Sequence, residues 1–151
     1  MEINGVPLHP LVVHAAVVLT PLACFAALAY CVPSWRDRVR WPLVVLAAVS
    51  VASIWVAFLS GEDFRKDPRF DFAAGTPLED RLEDHEEWAE KLRIGASVFA
   101  VLAFASAWFH TRTDAVRTAL TVLTALGALA TLVLVVLTGD AGAQATWKID
   151  S

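Results

Sequence analysis

The sequence has few of the residues that soluble, disulfide-rich or nucleic-acid-binding proteins use. Charged residues make up 19% of its 151 residues, below the roughly 25% of a typical soluble domain. Its 2 cysteines, Cys24 and Cys31, lie on one predicted helix with Cα atoms about 10 Å apart, too far for a disulfide between them. The net charge of −4, without a basic patch, argues against a nucleic-acid partner.

The common catalytic motifs are also missing. The sequence has no CxxCH haem-attachment motif, no phosphate-binding loop and no GxSxG element. His85 to Ala89 begins like a zinc-protease helix but lacks the second histidine four residues on. Met1 to Gly5 has no basic residue, so we expect no cleavable signal peptide. No motif therefore indicates a catalytic activity of the chain's own, and whether it is an enzyme stays open.

Apolar residues dominate what is present. They make up 57% of the chain, and the mean hydropathy is +0.56. Four apolar runs, at about 10–32, 42–60, 92–109 and 118–138, approach the roughly 20 residues that cross a bilayer. A soluble bundle is the alternative, but the second and third runs lack the polar face that it needs. We therefore predict one domain over residues 1–151, an all-α, integral membrane, up-and-down four-helix bundle.

The third predicted helix extends well beyond its apolar run. A charged loop from 62 to about 75 precedes Thr76-Pro77-Leu78-Glu79, which has the form of a capping box with proline at the first helical position. We therefore expect this helix to begin at Pro77 and to continue to Phe109, a length of about 50 Å. Its first third then projects from the membrane or covers the end of the bundle.

The topology places both chain ends at one membrane face. In an up-and-down bundle, the starts of helices one and three and the ends of helices two and four meet at the same face. The two short connections, 33–41 and 110–117, are rich in arginine, which is typical of cytoplasmic loops. We therefore expect both termini outside the cytoplasm. Similar hydroxyl–glycine–acid sequences after helices two and four also suggest a weak internal repeat, although common helix terminators produce such matches by chance.

Several of these features also occur together in one family. They are the PLHPLVVH sequence from Pro7 to His14, the four-helix hydropathy profile, His85-Glu86 before the third span, and a glycine-rich exit from 139 to 142. In these the chain resembles, over nearly its whole length, the domain of unknown function 2231 family of bacterial membrane proteins. PLHPxxVH is the most specific part, and Asp140 stands where many relatives are expected to have histidine. The resemblance implies a four-helix fold in the bacterial inner membrane, with some relatives joined to Rieske or cytochrome c domains, but no established activity.

Two histidines form the leading candidate site. An imidazole inside an apolar helix costs free energy unless something binds it. We expect His14 and His85 to meet across the bundle near the outer face, as ligands of a b-type haem or of a transition-metal ion such as copper or zinc. This hypothesis gives the protein a role in electron transfer, or as a subunit of a redox complex with a redox protein partner. Whether it forms a homo-oligomer stays open.

Other polar residues at this face extend the candidate metal site. They are His9, Glu62, Asp63 and Asp140. His9 lies about 140° around the helix from His14, so we expect it to cap the helix and not to share a ligand face. The carboxylates could bind a cation or orient a histidine. We expect His110, at the far end of helix three, to complement the helix terminus.

Two other functions fit the same residues. A structural or assembly subunit would use the histidines only to join helices by hydrogen bonds. A small cation-linked transporter would use Glu62, Asp63 and Asp140 on its ion path. Both remain alternatives to cofactor binding.

Overall fold

The computed structural model describes residues 2–3, 6–65 and 76–147. Four α-helices form it: α1 (Leu8–Cys31), α2 (Arg36–Arg65), α3 (Pro77–Trp108) and α4 (Ala115–Trp147). Two short antiparallel strands, β1 (Glu2–Ile3) and β2 (Val6–Pro7), precede α1. The predicted four-helix fold is confirmed, and the strand pair is the one element of the described residues that the hydropathy pattern did not indicate.

Each helix is long and apolar enough to cross a membrane. α1 packs against α2 and α4, and α3 packs against the same two helices, so α1 and α3 lie on one diagonal of the bundle. We call the end that holds the starts of α1 and α3 and the ends of α2 and α4 the terminal face. The opposite end, with the turns at 32–35 and 109–114, is the short-loop face.

Helices α2 and α4 extend beyond the predicted spans at both ends. α2 begins at Arg36, where the backbone nitrogen already donates to the Val32 carbonyl, and it continues past Gly61 to Arg65. α4 runs from Ala115 past Gly139 and Gly142 to Trp147. The prediction that the helices end at these glycines was wrong. At Gly61 and Gly142 a histidine ring occupies the space of the missing side chain, whereas nothing lies within 4 Å of a Cβ added at Gly139.

The start of α3 agrees with the prediction. The Thr76 hydroxyl accepts a hydrogen bond from the Glu79 backbone nitrogen at 3.4 Å, and Pro77 occupies the first helical turn. α3 ends at Trp108, with Phe109 as its C-cap. The capping pattern therefore located the start of this helix correctly. Of the predicted charged loop, residues 62–65 belong to α2, and 66–75 lie outside the described residues.

The buried residues of α1 recur in α3 at a constant offset of 76 positions, the same separation that joins Tyr30 to Ser106. In α1 they are Ala16, Thr20, Ala23, Cys24, Ala27 and Tyr30, and in α3 they are Leu92, Ala96, Phe99, Ala100, Ala103 and Ser106. The buried residues of α2 recur in α4 at an offset of 81: Leu43, Ala47, Ser50 and Ile54 correspond to Thr124, Ala128, Thr131 and Val135. The two helix pairs are thus structural repeats in the part of the chain that the structure describes.

Small and hydroxyl-bearing residues let the helices approach closely. Ala27, Ala103 and Ala128 have no exposed surface. The Ser50 hydroxyl donates to the Thr20 hydroxyl at 2.9 Å between α1 and α2. Large apolar side chains face outward instead, with Phe25, Val45, Val101 and Val136 all more than half exposed. This arrangement, with small residues inside and large ones outside, is typical of helices that pack within lipid.

A leucine at Ala103 tests the close packing of α3. Since Ala103 is fully buried, we expect Ala103→Leu to lower the free energy of unfolding by about 1–3 kcal/mol through overpacking. Val101→Leu is the matched control, because Val101 lies on the same helix and is 64% exposed; its effect should stay within about 0.5 kcal/mol. Unfolding in detergent, followed by circular dichroism, measures both, and equal effects would contradict the assigned inner face.

Candidate functional site

His9 lies in the first turn of α1 and binds the backbone of α2. Its Nδ1 is 2.9 Å from the Ala57 carbonyl oxygen. Because a carbonyl can only accept, Nδ1 carries the hydrogen of this bond. The ring lies against Gly61, where an added Cβ would be 3.0 Å from the ring carbon Cε1. His9 therefore does not cap α1, as the sequence suggested, but joins α1 to α2.

His85 makes the same contact between α3 and α4. Its Nδ1 is 3.1 Å from the Thr138 carbonyl oxygen, so Nδ1 again donates. The ring lies against Gly142, where an added Cβ would be 3.0 Å from Cε1. The Thr138 hydroxyl donates in return to the Trp88 carbonyl of α3 at 3.0 Å. The prediction that His85 faces the interior of the bundle agrees with this half-buried position.

The glycines explain how an imidazole reaches a helix carbonyl. In an α-helix the carbonyl of residue i bonds to the nitrogen of residue i+4, whose side chain stands beside it. Gly61 is four residues after Ala57, and Gly142 is four residues after Thr138. In both helices a glycine thus stands where a side chain would block the carbonyl, and the histidine ring occupies that space.

The two histidines occupy equivalent positions in the two repeats. His9 and His85 have the same 76-residue offset that relates the buried positions of α1 and α3. The glycines, and the carbonyls that the histidines bind, share the offset of the buried positions of α2 and α4. His9 and His85 are therefore the two histidines that occupy equivalent half-buried positions at the terminal face.

His14 does not take part in this arrangement. It is exposed, and its Nδ1 donates to the Pro10 carbonyl of its own helix at 2.6 Å. The structure therefore does not place His14 beside His85, and His9 occupies the position on α1 that is equivalent to His85 on α3. The reason is that α1 begins at Leu8, which brings His9 into the helix on its inner side and places His14 about 140° away.

The predicted carboxylates do not complete a metal site with these histidines. Glu62, Asp63 and Asp140 are exposed, and Asp140 accepts a hydrogen bond from Gln144 at 2.7 Å. Among the described residues no group of three or more histidine, cysteine or acidic side chains is arranged to hold a metal ion. A transition-metal ion held by protein ligands alone usually needs three or four of them. The donor set of the described residues therefore does not fit such an ion.

His9 and His85 are of the residue type that supplies the axial ligands of a b-type haem. The porphyrin supplies four nitrogen ligands to the iron, so the protein supplies one or two axial ligands. Histidines that bind metals usually donate the other ring hydrogen to a carbonyl or carboxylate. In neutral His9 and His85, Nδ1 carries the hydrogen, and the lone pair that can bind iron is on Nε2.

A second hydrogen-bond network lies at the short-loop face. The Tyr30 hydroxyl donates its one hydrogen to the Ser106 carbonyl at 2.8 Å, so the 3.1 Å contact to His110 uses a hydrogen on Nδ1. Nε2 of His110 is 2.7 Å from the Asp37 carboxylate. The His110 side chain is only 12% exposed, so it joins both turns to α1 instead of facing water.

The fold and the site define a class: a polytopic α-helical membrane protein with two equivalent helix pairs. A family described as "Predicted membrane protein (DUF2231)" matches residues 5–150. The chain belongs to this family, in agreement with the resemblance noted in the sequence. Comparison with curated proteins and with solved structures gave no match.

The sequence contained signals that identify the glycines and His9. Gly61 and Gly139 both follow a hydroxyl residue, but aligning these two glycines hides the repeat. The repeat becomes visible when Gly61 is aligned with Gly142, and His9 with His85. The offset of the alanine-rich inner faces gives the same alignment. The contacts of His110 have no such signal, because Tyr30 and Asp37 are distant from it in sequence.

Alanine substitutions at Gly139 and Gly142, near the end of α4, test the ring contact. Replacing a glycine inside a helix by alanine should raise the free energy of unfolding by about 1 kcal/mol. Gly139→Ala should show this gain, since nothing lies within 4 Å of its added Cβ. Gly142→Ala should be less stable than Gly139→Ala by at least about 1 kcal/mol, because its Cβ displaces the His85 ring from the Thr138 carbonyl. Thermal unfolding in detergent measures this difference, and equal stabilities of the two variants would contradict the contact.

Proposed function

We propose that this protein holds a b-type haem with His9 and His85 and serves electron transfer, as a subunit of a membrane redox assembly. The observation that carries the proposal is the equivalence of the two histidines. They come from diagonal helices, lie at one face, and each donates Nδ1–H to a backbone carbonyl. In a neutral ring this bond places the hydrogen on Nδ1, so a haem iron would be bound through Nε2.

In this function the chain binds and orients, and the cofactor supplies the redox chemistry. A bound haem provides reversible one-electron transfer between ferric and ferrous iron. The carbonyls of Ala57 and Thr138 fix the tautomer and the rotation of the two rings. The hydrogen bonds also make both imidazoles stronger electron donors to a metal. The terminal face would be the docking surface for a redox protein partner.

A second function is favoured by the same hydrogen bonds. His9 joins α1 to α2, and His85 joins α3 to α4. These bonds close each helix pair at its open end, opposite its turn. A structural or assembly subunit needs only these bonds between helices and no cofactor. The transporter alternative has less support, because Glu62, Asp63 and Asp140 are exposed at the helix ends instead of lining an interior path.

A visible spectrum of the detergent-purified protein, titrated with hemin, separates the two functions. We expect a Soret band in the wild type. His9→Ala and His85→Ala should each weaken hemin binding at least about tenfold, the loss expected when even an outer partner of a metal ligand is removed. His14→Ala is the matched control, because His14 is on α1 but exposed, and it should bind hemin like the wild type.

Circular dichroism of each variant separates loss of the ligand from loss of the fold. A helical wild type that takes up no hemin contradicts the haem proposal and supports the structural function. If His14→Ala weakens hemin binding as much as His9→Ala and His85→Ala do, the assignment of the two ligands is also contradicted. If His9→Ala does not fold, His85→Ala and His9→Asn provide the same comparison, since the asparagine amide can still donate to the Ala57 carbonyl but is not a usual haem ligand.

We further propose that the protein lies in a bacterial inner membrane with both termini outside the cytoplasm. The support is the arginine content of the short-loop face, where Arg36, Arg38 and Arg40 follow one turn and Arg112 and Arg117 flank the other. In a bacterial host, alkaline phosphatase fused after Ser151 should be active, and green fluorescent protein fused there should be dark. Insertions after Thr111 should give the opposite result. Fluorescence from the C-terminal fusion would contradict this proposal and indicate the opposite orientation, with both termini in the cytoplasm.

A further inference from the structure

A cavity at the short-loop face is not used by the proposed function. Its volume is about 420 Å³, and it lies between the α1–α2 turn and the first turns of α4, partly open to the surface. Its lining includes Arg36, Asp37, His110, Arg117 and Thr118. A cavity with two arginines suits an anion, provided that the positive charge is not already neutralised within the protein.

Arg36 is held in place with part of its guanidinium unpaired. Its Nε donates to the Tyr30 carbonyl at 3.2 Å, and the guanidinium lies 5.4 Å from the centre of the Tyr30 ring. Neither contact neutralises its charge. Within the described residues its two terminal NH₂ groups have no acceptor among the hydrogen bonds and ion pairs. They are therefore available to a ligand in the cavity.

Arg117 is also without a counter-ion in the described chain, although an acidic residue is near. Asp114 caps α4, accepting from the Arg117 backbone nitrogen at 3.4 Å. Its other carboxylate oxygen accepts two hydrogen bonds from Arg112, at 3.0 and 2.6 Å. These bonds lower the pKa of Asp114, so its charge is retained and paired with Arg112. Asp114 thus positions Arg117 without binding its guanidinium.

Asp37 is the one acidic residue of the described lining, and it is paired with His110. The His110 Nε2 is 2.7 Å from the Asp37 carboxylate. A hydrogen donated by the His110 ring offsets part of the repulsion that Asp37 would exert on an anion, and two arginines face this single carboxylate. Arg36 and Arg117 then give the cavity an excess positive charge, and the Thr118 hydroxyl adds a hydrogen-bond donor.

The position of the cavity indicates the source of the anion. Val122 lines it and is 52% exposed on the outer side of α4, which continues with the exposed apolar residues Leu126 and Leu129. At the same face, the exposed Trp35 and Trp108 are typical of headgroup depth. The cavity therefore opens both to the headgroup layer and to the surface along which acyl chains lie.

We propose that this cavity binds the phosphate of an anionic phospholipid headgroup through Arg36 and Arg117, with the acyl chains along the outer side of α4. Basic pockets at the ends of transmembrane helices bind such headgroups by charge and hydrogen bonds. A free phosphate ion would use the same arginines but would gain nothing from α4. The two sources can therefore be separated by experiment.

Native mass spectrometry of the delipidated full chain in detergent tests the site. Phosphatidylglycerol and phosphatidylcholine are added at equal concentrations, and the fraction of protein that retains one lipid is measured. We expect the wild type to prefer phosphatidylglycerol. Arg117→Gln should lower its retention about fivefold, the effect of one arginine at a membrane surface, with a similar loss in Arg36→Gln. Arg38→Gln, an exposed arginine on α2 outside the lining, should retain the lipid like the wild type.

Three results would overturn the proposal. One is equal retention of the two lipids by the wild type, and another is an equal loss in Arg38→Gln and Arg117→Gln. The third is complete displacement of phosphatidylglycerol by millimolar inorganic phosphate, which would assign the cavity to a free anion. Circular dichroism of each variant checks that it is folded. If Arg36→Gln does not fold, Arg117→Gln alone tests the proposal.

Discussion

The close approach of an imidazole ring to a helix backbone, made possible by a glycine, is the contact on which the terminal face depends. Ala57 and Thr138 already accept the hydrogen bond of their own helix, and the ring adds a second donor to each carbonyl. Each ring is half-buried, so water has limited access to the ring hydrogen and the bond fixes the ring orientation. The same contact therefore holds each helix pair together and orients two Nε2 atoms. Holding the helices and binding an axial ligand require the same geometry, which is why one site supports both functions considered above.

The rest of the bundle depends on side-chain size. Lipid gives helices no hydrophobic reason to associate, so the inner faces are rich in alanine and hydroxyl residues that allow close contact. Some large side chains are buried among them, and one of these is Tyr30, which contacts Ser106. Tyr30 fills space between the helices and binds a carbonyl near the end of α3, which has no partner in its own helix. The two repeats are thus alike at the terminal face and different at the short-loop face.

Composition and hydropathy were enough to predict the four helices, their order and the start of α3. The helix ends were less predictable. Glycine commonly ends a helix, but Gly61 and Gly142 lie inside their helices and leave space for a histidine ring. Whether a glycine ends a helix depends on what packs against it, which is a tertiary property. The same limit explains His14. Its position inside an apolar run suggested burial, but burial depends on the side of the helix, and His9 lies on the inner side.

The equal offsets of buried residues have a consequence for the origin of the chain. A single hairpin with one histidine near its start and one glycine near its end would contain the histidine–carbonyl contact of the terminal face. Two identical copies, related by a two-fold axis along the membrane normal, would then build the same bundle as a homodimer. After two copies of the gene for this hairpin had fused into one, the two halves of the protein could differ in sequence. Tyr30, His110 and Asp37, which do not obey the symmetry, would have been able to diverge only after that fusion.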